Sequence, residues 1–229
     1  MSIAENYKTI RHTMEAACKK AGRPVEDVQL IAVTKYVDTA RIAEALACGV
    51  RAVGENHAQE LTEKLTFFEQ NACDIHFIGQ LQTNKVKYVC GNARLIQSVD
   101  RLHLAEALQH QAEKMGIRQD ILIQVNIGDE PQKGGIPTTD AIAFCKQAAA
   151  FVNLRICGIM CVPPVGEPES ARAYFAKTRA LFESMQSSFP ELPINTLSMG
   201  MSHDYDIAIE EGATMVRVGT ALFGQRNYQ

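Results

Sequence analysis

Residues 29–37 read Gln29-Leu30-Ile31-Ala32-Val33-Thr34-Lys35-Tyr36-Val37. The apolar core Leu30-Ile31-Ala32-Val33 is short and partly β-branched, as a buried strand requires. The turn that follows lacks the glycines with which an open doubly wound sheet tends to begin, and this turns the reading toward a closed barrel. Outward from this stretch, strand-like runs are expected at 29–35, 51–55, 74–79, 94–99, 120–127, 154–162, 195–198 and 214–219. Between them lie amphipathic stretches such as 40–48, 57–68, 101–114, 139–151 and 170–187, several ended by glycine, at Gly49, Gly116 and Gly212. Eight strands with crossover helices predict a (β/α)8 TIM barrel of the α/β class. A further helix over 3–21, with Ile3, Tyr7, Ile10 and Met14 at helical spacing, precedes the first strand and ends at Gly22 and Pro24.

Composition allows this and narrows the function. A chain of 229 residues is expected to form one barrel domain over 1–229, because α/β barrels occupy such lengths as single units. The formal net charge of −3, with no stretch that collects Lys and Arg, argues against nucleic acid or an anionic membrane as partner. No apolar run is long enough to cross a bilayer, and no secretory signal opens the chain. The seven cysteines are an odd number without C-x-x-C spacing and are read as reduced thiols of a cytoplasmic protein, with no metal site. Cys157 and Cys161 lie in an apolar run and read as small core hydrophobes.

In parallel α/β folds the reactive groups stand where strands end. The first run ends at Lys35, whose amine beside apolar walls becomes a nucleophile toward carbonyls; the alternative is a lysine that snorkels to solvent. After the second run Asn56 either bonds a ligand or caps the helix that starts at His57. His76, inside an apolar run, reads as a satisfied core histidine rather than a catalyst. The loop Ser198-Met199-Gly200-Met201-Ser202, with Ser202 expected as an N-cap, and the loop Gly219-Thr220 both offer backbone N–H groups to an anion, where barrels of this kind bind phosphate. Arg217 lies in Met215-Val216-Arg217-Val218 and needs a partner, either a ligand inside the barrel or a salt bridge to a neighbouring strand.

Five ordered motifs now carry a resemblance that covers nearly the whole chain. They are Ala32-Val33-Thr34-Lys35; Gly54-Glu55-Asn56 with Gln59-Glu60; His76-Phe77-Ile78-Gly79-x-Leu81-Gln82-x-Asn84-Lys85; Ser198-Met199-Gly200-Met201-Ser202-x-Asp204; and Met215-Val216-Arg217-x-Gly219-Thr220-x-x-Phe223-Gly224. In these the chain resembles the pyridoxal phosphate homeostasis proteins, relatives of the barrel domain of alanine racemase. The resemblance implies that pyridoxal 5′-phosphate (PLP) is held as a Schiff base on Lys35. It also implies that the region of Ser198, Gly200, Met201, Gly219 and Thr220 holds the phosphate, that Arg217 faces the pyridine nitrogen, and that Asn56 lies near the ring.

An arginine at the pyridine nitrogen leaves that nitrogen without a proton, so the cofactor is expected to be a weak electron sink. The chain ends at Gln229 and is expected to leave no room for the β-rich domain that supplies the racemases' catalytic tyrosine. Tyr36 is expected to turn away from the site by alternation. The expected function is therefore that of a monomeric carrier or buffer of PLP in the cytoplasm, with PLP-dependent apo-enzymes as recipients and no robust turnover. The alternatives are a PLP-dependent enzyme such as an amino-acid racemase, a Schiff-base aldolase acting on a sugar phosphate, and an interaction module without ligand. The last leaves Arg217 and the loop glycines unexplained.

Overall fold

The computed structural model describes residues 2–130 and 134–225. Eight strands close on themselves in parallel: β1 (Gln29–Val33), β2 (Ala52–Glu55), β3 (Asp74–Phe77), β4 (Leu95–Val99), β5 (Gln119–Asn126), β6 (Leu154–Cys161), β7 (Thr196–Ser198) and β8 (Met215–Val218). The pairing of β4 with β5 and of β1 with β8 completes the ring. The barrel expected from the sequence is thus present, with each of its eight strands at the expected place. A two-residue strand, Ile136–Pro137, lies beside the end of β5.

Nine helices surround the barrel among the described residues: α1 (Ile3–Lys20), α2 (Thr39–Ala47), α3 (Ala58–Gln70), α4 (Val86–Val89), α5 (Leu102–Met115), α6 (Ala141–Ala148), α7 (Arg172–Ser188), α8 (Tyr205–Glu210) and α9 (Thr220–Phe223). Their ends follow local chemistry. Ser2 and Glu5 form a reciprocal capping box at α1, Asp38 caps α2 through the Arg41 N–H, and Gly116 closes α5 in the left-handed conformation. The last two helices are short, and α1 packs across both, burying Ile10, Met14 and Cys18; Asn6 Nδ2 donates to the Leu222 carbonyl at 2.9 Å. The additional N-terminal helix therefore covers a flank that the short α8 and α9 leave thin.

Two apolar cores result. The larger lies between strands and helices; the smaller, Ile31, Ala52, Leu95, Leu122, Met160 and Met215, fills the barrel. Registered pairs such as Ile31 with Ala52 and with Arg217, Gly54 with His76, and Met160 with Ser198 put these residues on the inner face. All seven cysteines are unpaired, and burial raises the Cys161 pKa to about 11, which suits a small hydrophobe. Among the described residues no helix is long and apolar enough to cross a membrane.

Candidate functional site

Alternation carries the inner face past the strand ends, so that Val33 and Lys35, Asn56, Ile78 and Val162 meet at the carboxyl end of the barrel. With Met201, Ser202, His203, Arg217, Gly219 and Thr220 they line a cavity of about 260 Å³. Six of the eight residues singled out by sequence therefore stand together: Lys35, Asn56, Met201, Arg217, Gly219 and Thr220. A larger cleft of about 490 Å³ lies by the same rim, lined by Tyr36, His57, Gln59, Gln82 and Lys85 among others. It shares Asn56 with the smaller cavity but takes in neither Lys35 nor Arg217, so the smaller cavity is the candidate site.

Lys35 sits half-buried in a turn two residues beyond β1. Both of its neighbours are clamped from outside the barrel. Lys64 Nζ, on α3, donates to the Thr34 carbonyl at 2.8 Å, to Glu55 Oε1 at 2.9 Å and to Glu60 Oε2 at 2.9 Å, and Glu60 Oε2 accepts the Tyr36 N–H at 2.8 Å. Thr34 Oγ1 donates to Glu55 Oε1 at 2.7 Å. Tyr36 takes a positive φ of 59°, and its exposed ring meets His57 through a 3.1 Å hydrogen bond, so it turns away from the cavity as expected.

Glu55 is fully buried, and its Oε2 finds no partner. Burial raises its pKa, although Lys64 and Thr34 pull the other way. A carboxyl with a raised folded pKa contributes stability that is present at low pH and lost as pH rises through that pKa. Glu55→Gln, which cannot ionise, is therefore expected to gain stability relative to the unsubstituted chain between about pH 4 and about pH 8. Urea denaturation at both pH values measures this; a pH-independent difference contradicts it.

Arg217 is buried, with Nη1 donating to Ser198 Oγ at 2.7 Å and Nη2 to the Cys161 carbonyl at 2.8 Å. No ion pair of Arg217 occurs among the described residues, so of the two partners open to it the salt bridge is absent. Burial lowers its pKa, but a guanidinium keeps its proton at neutrality. Asn56 does not cap α3, whose N-cap is His57; its Oδ1 is buried in the cavity wall without a partner. The chain packs tightly here, since a Cβ on Gly79 would lie 2.0 Å from the Asn56 carbonyl oxygen.

Ser198 and Gly200 do not line the cavity. Ser198 lies beneath it, fully buried and bonded to Arg217 and Gln97. Gly200 accepts the Arg217 N–H and takes a φ of 90°, and a Cβ there would meet Ala208 at 2.5 Å. Ser202 departs from expectation: α8 starts only at Tyr205, and the Ser202 hydroxyl accepts from Gly219 N at 3.1 Å and Ala221 N at 3.2 Å, at the start of α9. Two backbone donors of the loop after β8 thus gather around one oxygen of the loop after β7. The Met201 N–H is held by Asp204 Oδ1 at 2.6 Å.

Sequence reading missed Val33, Ile78, Val162, Ser202 and His203 as lining residues. Following the inward alternation to the end of β1 would have found Val33, and carrying it one step past β3 and β6 would have found Ile78 and Val162. His203 is signalled only by its place in the loop after β7.

Comparison with known proteins agrees with this geometry. Residues 5–227 match the family model described as alanine racemase, N-terminal domain. A pyridoxal phosphate homeostasis protein of Aquifex aeolicus is 41% identical over 229 residues, all of both chains, and one of Haemophilus influenzae is 38% identical over 234 residues, covering 100% of this chain and 98% of that one. The structure of PipY of Synechococcus elongatus with PLP bound superposes with a TM-score of 0.85 at 35% identity, covering 97% of this chain and 100% of that chain.

Proposed function

The chain belongs to the pyridoxal phosphate homeostasis proteins of the alanine racemase N-terminal-domain family, and on that premise we propose that it carries PLP as a Schiff base on Lys35. It acts in the cytoplasm as a monomeric buffer that supplies the cofactor to PLP-dependent apo-enzymes and does not turn over amino acids. The observation that carries this reading is the convergence of Lys35, Arg217 and the Gly219–Thr220 turn on one cavity.

The residues present fit the group. Val33, Ile78 and Val162 offer an apolar wall to a flat ring and exclude water from its faces. The Gly219 and Ala221 N–H groups, which donate to Ser202 Oγ in this structure, would turn to an incoming phosphate, with the Ser202 and Thr220 hydroxyls as further donors at the same chain turn. Asn56 presents its orphaned Oδ1, an acceptor for a ring hydroxyl. Arg217 supplies a donor to a ring nitrogen. Bound here, PLP supplies an electrophilic carbon and a conjugated ring. Arg217 gives that ring a hydrogen bond and keeps its own proton, which limits charge delocalisation and disfavours demanding carbanion chemistry.

A racemase reading needs a second acid–base group facing the ring. Tyr36 is 60% exposed and engaged with His57. Among the described residues, the one titratable side chain in the lining besides Lys35 and Arg217 is His203, itself exposed. Amino acids incubated in D2O with the PLP-loaded chain are expected to exchange their α-protons no faster than with free PLP. Exchange over many turnovers would establish the enzyme instead.

A further inference from the structure

Behind Arg217 the barrel interior holds three polar side chains, Ser198, Gln97 and His76, that the proposed binding leaves unused. Arg217 Nη1 donates to Ser198 Oγ at 2.7 Å, Ser198 Oγ donates to Gln97 Oε1 at 2.6 Å, and Gln97 Nε2 lies 3.0 Å from His76 Nδ1. All four residues are buried on the inner face of four different strands.

The direction of every bond follows from the first. A guanidinium only donates, so Ser198 Oγ accepts from it and its own proton goes to the Gln97 carbonyl. The Gln97 amide then presents its two protons to His76 Nδ1 and, at 3.0 Å, to Met215 Sδ. Turning the amide over would set its oxygen against that sulfur and leave the Ser198 proton without an acceptor. His76 Nδ1 must therefore be bare, with the ring proton on Nε2. Nε2 is buried without a partner among the described residues, and the ring lines a cavity of about 230 Å³ that opens among the amino-terminal strand ends. Burial lowers the His76 pKa to about 4, so the ring is neutral at physiological pH.

Arg217 depends on this order. With Ser198 Oγ and the Cys161 carbonyl as its only acceptors among the described residues, its plane is fixed by whether Ser198 offers a lone pair or a proton. We propose that Gln97 and His76 are positioning residues for the cofactor pocket, orienting Arg217 from inside the barrel through a donor sequence that only the Nε2–H form of His76 satisfies. The proposal rests on the reading that Arg217 faces the cofactor.

Two measurements test it. Nitrogen-15 NMR of the histidine-labelled chain at pH 7 without added PLP, with His76 assigned as the signal lost in His76→Asn, is expected to show an unprotonated Nδ1 and a protonated Nε2. The opposite tautomer or a protonated ring overturns the relay, and this readout needs neither the cofactor nor a destabilised variant. Gln97→Leu and His76→Leu are expected to weaken PLP binding about tenfold, as loss of a hydrogen-bonded support to a charged group does, and to shift the visible band. His76→Asn, whose amide oxygen can replace Nδ1 as acceptor, is expected to bind within about twofold of the unsubstituted chain. Unchanged affinity and band in Gln97→Leu overturn the proposal. An unsubstituted chain that takes up no PLP would instead sink the functional reading while leaving the NMR result standing.

Discussion

Replacing Lys35 by alanine is expected to abolish covalent attachment of PLP, with loss of the imine absorption and of borohydride fixation of the cofactor to the chain. The magnitude follows from chemistry, because among the described residues no other one lining the cavity carries an amine. The fold is expected to survive. Lys35 lies in a half-buried turn outside β1, it belongs to neither apolar core, and its neighbours are held by Lys64 and Glu60 through groups the substitution leaves in place. Weak PLP uptake through the donor cluster at Ser202, Gly219 and Ala221 persists and is removed by dialysis. An imine band that survives in Lys35→Ala would assign the attachment elsewhere.

Lys64→Met acts on stability instead, with an expected loss of about 3–5 kcal/mol at neutral pH, the range found when one partner of a buried ion pair is removed. Glu55 is fully buried and Lys64 nearly so, and without the ammonium the carboxylate keeps only the Thr34 hydroxyl. For a chain of this size that is a fall in Tm of roughly 6–20 °C. Adding Glu55→Gln to Lys64→Met removes the unpaired charge and is expected to restore part of the loss, since residues in one network are not additive. Calorimetry of the two single variants and the double variant measures it. Equal stability of Lys64→Met and the unsubstituted chain would show that the pair contributes nothing. The same substitution leaves the Thr34 carbonyl with the Val37 N–H at 3.0 Å but without the ammonium, so the turn carrying Lys35 is expected to loosen and PLP uptake to weaken alongside stability.

The barrel was legible because each strand is a short apolar run and each interval a helical one, and burial on both faces leaves little ambiguity about order. Boundaries were less so. The first run was read through Lys35, whereas β1 ends at Val33, because the positive φ of Tyr36 bends the chain at once. The shortness of α8 and α9 leaves no mark in a periodicity too brief to measure.

The inward set at the rim was legible where alternation and chemistry agreed, as for Lys35, Asn56 and Arg217. What eluded reading was which distant atom each polar group meets. Ser202 has the composition of a cap, but it caps the start of α9 rather than α8, and nothing local distinguishes the two. Ser198 looked like a phosphate contact from its loop, whereas its strand position turns it into the barrel toward Gln97, 101 residues away. Glu55 and Lys64, nine residues apart on a strand and a helix, pair only because α3 folds back over β2.

The most direct test of the account is mass spectrometry of the unsubstituted chain after incubation with PLP, borohydride reduction and proteolysis. The account predicts one added phosphopyridoxyl group, located on the peptide that contains Lys35. A chain that keeps its own mass, or that carries the group on another lysine, would contradict it.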